Sequence, residues 1–537
     1  METVHVVGSG ASAVHFALSL LERGFAVHML DVGEDGEPLV APEASFARLK
    51  WELADPARYF LGEDLRGVVM PDRPEPFHGI PPSKDHVLAK RLPFDLAARG
   101  FDARVSLALG GLASAWTAGC YPYNDRELAS FPFGYAELGP YYDQVALRIG
   151  VSGSSDDLAE HIPLHRHLLE PLRLDDASQA LLARYTRHRD SLRRRWGCTV
   201  GRARVATLTR DQDERHACRY LGRCIWGCPV AALYTPELTL AACKRFASFA
   251  YTRDCYVTHL EVDARRRVRA VVARPAAGGE PRSFPAQHVA LGAGTLGSTR
   301  IVLESLFRIS GERPVLPGLM DNRQLLMPIV IPSQIGRRFD PDTYQLNQIA
   351  LGLDMPDSAD RVHGLLTTLK ATMIHPIVQA LPLDLCTSLR LFRELHAALG
   401  LVNLNFSDQR RDQSYVRLEP RGENAPCALE VRYAVAGGDE ARVRGSLARV
   451  RGALLRLGAI ALPGMTRIRA MGSSLHYAGT IPMSVEPRPL TVSRDCASHD
   501  FENLHLVDGA TFPFLPAKNP TFTLMANAAR IADRAFR

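Results

Sequence analysis

TVHVVGSGASA, residues Thr3–Ala13, followed by an apolar run to Arg23 and by FAVHML at Phe25–Leu30, decides how this chain is read. Thr3–Val7 is a short β-branched run, which predicts a buried strand. Gly8-Ser9-Gly10-Ala11-Ser12-Ala13 then gives a G-x-G-x-x-A pattern at the mouth of a helix expected over Ser12–Arg23. Each position has a physical task. Gly8 permits the tight turn, Gly10 lets a pyrophosphate approach the backbone, and Ala13 lets helix and strand pack closely. The helix amino terminus at Ala11-Ser12 faces the phosphates. Phe25–Leu30 predicts a second strand, and it ends at Asp31, about 20 residues past Gly10, where a carboxylate accepts hydrogen bonds from a ribose. The acid disfavours a 2′-phosphorylated cofactor. This segment alone does not separate FAD from NAD.

Working outward, 537 residues are enough for two or more domains. Hydrophobic residues make up 46% and charged residues 23%, as in a globular enzyme. A formal net charge of +6 is small for this length and predicts no nucleic-acid partner. The densest basic run, SLRRRWG at Ser191–Gly197, reads as a solvated helix face. Ala11–Leu21 lacks the basic flank and cleavage site of a targeting segment. No run of 18 uncharged apolar residues predicts a membrane span. A cytoplasmic protein with reduced cysteines is expected.

A second glycine turn stands far downstream. Gln287–Leu291 predicts a strand, Gly292-Ala293-Gly294-Thr295-Leu296-Gly297 the turn, and Ser298–Ser305 a helix. This suggests a cofactor domain assembled from separated segments. Tyr256–Val262 and Val268–Ala273 predict a hairpin around Arg265-Arg266-Arg267. In LALGGLASAWTAG (Leu107–Gly119), Gly110, Gly111 and Ser114 suit close approach of backbone to a flat ring. Trp116 suits either that ring or the core. Leu326–Ile331, Gly364–Lys370 and Tyr415–Leu418 are candidate strands of a substrate domain.

The carboxyl-terminal residues read LHYAGTIPM from Leu475 and NLHLVDGATFPFLPAKNPTFTLMANAARIAD from Asn503 to Asp533. They offer His476 as a candidate base, Asn519 as a second polar partner, and an Asp508-Gly509 turn. Cys218, Cys224 and Cys228 lie close together in HACRYLGRCIWGCPVAALY. Three thiolates can ligate a [3Fe–4S] cluster, zinc wants a fourth ligand, and buried structural thiols are the plain alternative.

GSGASA with Asp31, Leu109-Gly110-Gly111, LGAGTLGSTR, HYAGTIPM and NPTFTLMANAARIAD resemble the glucose–methanol–choline (GMC) oxidoreductases. Phe133–Gly153 and the cysteine spacing are similar to the family's bacterial sugar-dehydrogenase branch. The resemblance implies an α/β fold: a Rossmann-like FAD-binding domain of discontinuous segments, and an α+β substrate domain with an antiparallel sheet that roofs the flavin. The expected FAD segments are 1–35, 85–125, 200–310 and 470–537; substrate-binding and linker segments are 126–199 and 311–469. No His or Cys immediately precedes Gly110-Gly111, so noncovalent FAD is expected. Asp508-Gly509, with Pro520 and Thr521 at the start of a helix, is expected to contact it. His476 matches the family's active-site histidine and Asn519 its His-or-Asn partner, for removal of a hydroxyl proton as hydride passes to flavin N5. The implied substrate is a small polar, carbohydrate-like alcohol: a sugar, aminosugar or aminocyclitol, the last two pointing to antibiotic tailoring. A non-sugar alcohol or sterol oxidase and an NAD-dependent reductase are the alternatives. Oxygen, a quinone or a redox protein remains open as electron acceptor.

Overall fold

Thr3–Val7 (β1) lies at the middle of a five-stranded parallel sheet, flanked by Ala26–Leu30 (β2) and then Phe249–Thr252 (β3) on one side. His288–Leu291 (β4) and then Leu504–Leu506 lie on the other. The computed structural model describes residues 2–36, 43–62, 65, 81–89, 91–355, 361–369, 378, 381–419 and 428–536. Four of the five β1 residues are buried, as a strand covered on both faces requires. Helix α1 (Ala11–Glu22) carries the chain from β1 to β2 and buries every residue from Ala11 to Leu21. Helix α2 (Thr295–Ser310) follows β4, and the carboxyl-terminal helix α3 (Thr521–Ala535) packs against α1. The chain leaves β1 for β2 on one side and returns as β4 on the other. That reversal opens a crevice at the carboxyl ends of the strands, where open α/β sheets bind ligands.

The expected first strands and helix therefore stand within a residue or two of their predicted bounds. The downstream helix is longer than expected at both ends: it begins at Thr295, within the expected turn, and runs past Ser305 to Ser310. The predicted hairpin is an antiparallel pair, Tyr256–Val262 with Val268–Arg274, extended by Arg282–Pro285. Asp263 makes its turn, accepting from the N–H groups of Arg265 and Arg267.

A larger antiparallel sheet forms the second layer. Its long strands are Arg323–Val330 (β5), Ile349–Asp354 (β6), Arg361–Thr368 (β7) and Leu399–Phe406 (β8), in the order β5-β8-β7-β6, with Cys198–Arg202 on the outer side of β6. Strand alternation gives it two faces. Leu325, Met327, Ile329, Val402, Leu404 and Phe406 pack into a second core with residues of the helices Asp176–Trp196 and Asp439–Leu457. The opposite face looks toward the crevice. The predicted strand near 326 begins earlier, at Arg323, and the one near 364 covers Arg361–Thr368; Lys370 lies outside the described residues. The basic run ends the Asp176–Trp196 helix as expected, with Arg193 paired to Asp157 and Glu160 and Gly197 capping in the left-handed conformation.

Two segments sit across the expected domain bounds. Cys198–Arg202 pairs with β6, so residues 200–202 join the second sheet. Helix Tyr135–Ile149, expected with the substrate segments, packs on α3. Among the described residues no helix is long and apolar enough to cross a membrane.

Candidate active site

The two glycine turns interlock. A Cβ on Gly8 would stand 2.7 Å from the carbonyl oxygen of Gly292, and one on Gly292 would stand 2.7 Å from Ala13 Cβ. Gly8 also has φ of +96°, which side-chain-bearing residues rarely adopt. The repeated motif thus has a packing reason: the turn after β4 rests on the turn after β1, and only glycines allow the contact. Gly110-Gly111 lies against the turn after β1, because a Cβ on Gly111 would be 3.5 Å from Gly10 Cα.

Ser9 ties these loops to the acid. Its hydroxyl accepts from Gly110 N–H at 2.9 Å and donates to Asp31, which also accepts from the Tyr251 hydroxyl at 3.0 Å. Burial pushes Asp31 up to about 6 against these hydrogen bonds. Asp508 is built alike: Ser298 donates to it, Ala510 N–H caps onto it at 3.0 Å, and burial pushes it to about 6.

These loops line a cavity of about 600 Å³. Three helices begin at its wall, α1 after Gly10, α2 after Gly294 and α3 after Pro520, and none has a side-chain cap. Their first-turn N–H groups are free to meet anionic or carbonyl oxygens of a ligand. A Cβ on Gly294 would meet nothing within 4 Å, so that terminus is open. Cradle, helix termini and Asp31 fit a dinucleotide.

His476 closes the other end. Its Nδ1 lies 2.9 Å from Asn322 Oδ1. The Asn322 amide cannot be turned over, because its Nδ2 donates to the carbonyls of Phe406 and Pro516 at 2.8 and 2.9 Å. Oδ1 therefore faces the ring, Nδ1 carries the proton, and the lone pair stands on Nε2. Asn519 Nδ2 lies 3.3 Å from that Nε2. Burial, and secondarily the Arg469 guanidinium, holds His476 down at about 4. Asp321 fixes the backbone: it accepts from the N–H groups of Gly472 at 2.6 Å and His476 at 3.2 Å, and from the Ser474 hydroxyl. Burial pushes this carboxyl to about 7.

Of the residues singled out from sequence, Gly8, Gly10, Ala11, Ser12, Asp31, Gly110, Gly111, Gly292, Gly294, His476, Asp508, Gly509, Asn519, Pro520 and Thr521 all line this one cavity. Ala13 and Ser114 do not. Ala13 packs under Gly292, and the Ser114 hydroxyl turns back to the Leu109 carbonyl at 2.8 Å. Trp116 lines the cavity and packs against the core, and its Nε1–H donates to Tyr234 O at 2.8 Å. Ser9, Asp321 and Asn322 went unread, since a serine inside a glycine motif and an Asp-Asn pair before a strand carry no periodic signal.

The [3Fe–4S] expectation is corrected. Among the described residues no three His, Cys, Asp or Glu side chains gather as a metal-holding group. Cys218 Sγ accepts from Tyr220 N–H at 3.5 Å and Cys224 Sγ from Gln345 N–H at 3.4 Å. Burial pushes Cys218 up to about 11 and Cys224 higher. Both side chains pack against the core.

Residues 410–528 match the family model for GMC oxidoreductase. No curated protein matches the chain in sequence. Among solved structures, pyridoxine 4-oxidase from Mesorbium loti aligns over 99% of both chains with a TM-score of 0.61 at 14% identity. An FAD-dependent oxidoreductase from Chaetomium thermophilum aligns over 99% of this chain and 98% of its own, with a TM-score of 0.60 at 14% identity. A formate oxidase does so over 99% and 98%, with a TM-score of 0.62 at 12% identity. Such low identities speak to fold. The similarity to GMC oxidoreductases is carried in sequence by residues 410–528, and the likeness of fold to these solved structures extends over the whole chain.

Proposed function

We propose that the protein is an FAD-dependent oxidoreductase acting on an alcohol, with FAD held noncovalently in the glycine-lined cavity, His476 as base and Asn519 as its partner. Bound FAD supplies the acceptor for the carbinol hydride, and the protein handles the proton. The observation that carries this is the fixed tautomer: Asn322 holds the proton on Nδ1, so Nε2 meets the cavity as an acceptor. Asn519 Nδ2 and Nε2 lie 3.3 Å apart, so an alcohol oxygen that replaces this contact reaches both. That oxygen donates its hydrogen to Nε2 and accepts from Asn519, which aligns it and stabilises developing negative charge. With the ring held near 4, it is neutral and ready to accept a proton throughout neutral pH.

Gly8, Gly10, Gly110 and Gly292 admit the cofactor's backbone, Asp31 receives its ribose, and the amino termini of α1 and α3 meet its oxygens. The residues before Gly110, Leu107 to Leu109, offer no side chain for a covalent link. Leu326, Leu365, Leu401 and Leu475 in the cavity lining favour the non-sugar alternative over the carbohydrate. The purified protein is expected to show an oxidised-flavin spectrum and to release intact FAD on denaturation. Alcohol added without oxygen is expected to bleach it, and oxygen or an artificial acceptor to restore it. Flavin-free protein, or turnover that requires nicotinamide nucleotide, contradicts the reading.

A further inference from the structure

The roof of the cavity has a pattern that speaks to the substrate. Cross-strand pairing places Leu326, Asn403 and Leu365 side by side on β5, β8 and β7. One step along the sheet, Leu401 stands between Pro328 and Thr367; one step the other way, Asn405 stands between Gln324 and His363. Partners across a ladder point to the same face. Leu326, Leu365, Leu401 and Asn403 all line the cavity, as do Leu475, beside His476 in the chain, and Ile225. Asn403 is thus one amide set among leucines.

Of its neighbours' polar groups, Asn405 Nδ2 and His363 Nε2 are buried without a partner, but neither residue lines the cavity. Gln324 Nε2 donates to Asn405 Oδ1 at 3.0 Å, and Gln324 Oε1 accepts from Arg469. Asn403 differs in lining the cavity itself, and its Oδ1 is buried without a hydrogen-bond partner. A buried acceptor without a donor is unfavourable, so an amide kept among leucines calls for an occupant that pairs with it. A carbohydrate presents polar groups on every side and would leave several unpaired against the four leucines. A largely apolar body with a single donor meets the whole roof.

We infer that Asn403 is a specificity residue and that the substrate is a compact, largely apolar alcohol bearing one hydrogen-bond donor besides its carbinol. This rests on the proposed alcohol oxidation at His476. The inference concerns which alcohol is taken, not how it is oxidised.

The test compares benzyl alcohol, 3-hydroxybenzyl alcohol and D-glucose as reductants of the flavin in the absence of oxygen, with wild type and Asn403→Leu. The substitution is close to isosteric and extends the leucine row, and retention of flavin reports that the variant is folded. Wild type is expected to prefer 3-hydroxybenzyl alcohol over both others in kcat/KM. In Asn403→Leu the ratio of 3-hydroxybenzyl to benzyl alcohol is expected to fall about 10-fold, the worth of one paired buried acceptor. A wild-type preference for D-glucose, or an unchanged ratio in the variant, overturns the inference while leaving alcohol oxidation standing. Should the flavin resist all three, their binding is read from perturbation of its spectrum, and failure of 3-hydroxybenzyl alcohol to bind more tightly than D-glucose likewise overturns it. Absence of flavin from wild type is the separate result that defeats the proposed function itself.

Discussion

At the scale of single residues, the site turns on which imidazole nitrogen bears the proton. Asn322 decides it by having its own amide pinned at two carbonyls. Replacing it, as in Asn322→Leu, removes the acceptor for Nδ1–H and frees the ring to exchange tautomers. The expected result is a fall in kcat/KM of about 10- to 100-fold, the scale for loss of an outer partner of a functional histidine. Nitrogen NMR of the His476 ring should show a tautomer mixture; a single unchanged tautomer with an unchanged rate contradicts the assignment. The pH profile gives a second check. Because burial holds His476 at about 4, the acid limb of kcat/KM should lie near 4 and not at the ordinary value of about 6.5. Activity is lost as pH falls through that value, since a protonated Nε2 cannot accept. His476 and Asn519 were legible in the sequence through the surrounding pattern. Asn322 was not, because its role depends on the carbonyls of Phe406 and Pro516, which are brought to it only by the fold.

At the scale of elements, the cofactor cradle is an arrangement of turns that touch. Gly292 has an ordinary backbone conformation, yet a methyl there would stand 2.7 Å from Ala13 Cβ and 3.1 Å from Val507 Cγ2. Gly292→Ala must therefore push α1 or the Val507 strand end away and open the crevice. It is expected to abolish flavin retention on gel filtration. Gly24→Ala is the comparison: its φ of +86° costs about 1–2 kcal/mol in strain, but nothing lies within 4 Å and flavin should stay bound. Equal retention in the two would refute the interlocking of the turns. Both glycine motifs, and the strands and helices beside them, were readable from local pattern. Their contact was not, because nearly 300 residues separate Gly8 from Gly292. The spacing of Cys218, Cys224 and Cys228 suggests a shared ligand, but no metal-holding group forms among the described residues.

At the scale of the whole molecule, buried titratable groups set the response to acid. His5, His161, His259, His476 and His505 are held at about 4, and His165 and His363 at about 3, by burial first in every case. Each is neutral in the folded state and protonated when unfolded below its ordinary value, so each adds stability above about 6.5 that is lost as pH falls toward 4. Asp31, Asp508 and Asp321, raised to about 6, 6 and 7, act in the other direction, losing stability as pH rises through those values. The histidines outnumber them, so the melting temperature should rise between about pH 4.5 and 6.5. A flat or falling curve across that interval contradicts the burial assigned to these rings. The layered architecture, one parallel sheet under an antiparallel roof, was legible as a class. The composition of the roof was not, because which strand residues face the cavity depends on register across four strands.

The most direct test of the account is the anaerobic reductive half-reaction in His476→Ala, compared with wild type at equal flavin content. The account predicts that the variant keeps its FAD and that an alcohol which bleaches the wild-type flavin does so at least about 100-fold more slowly in the variant. Bleaching at the wild-type rate in flavin-replete His476→Ala would contradict it.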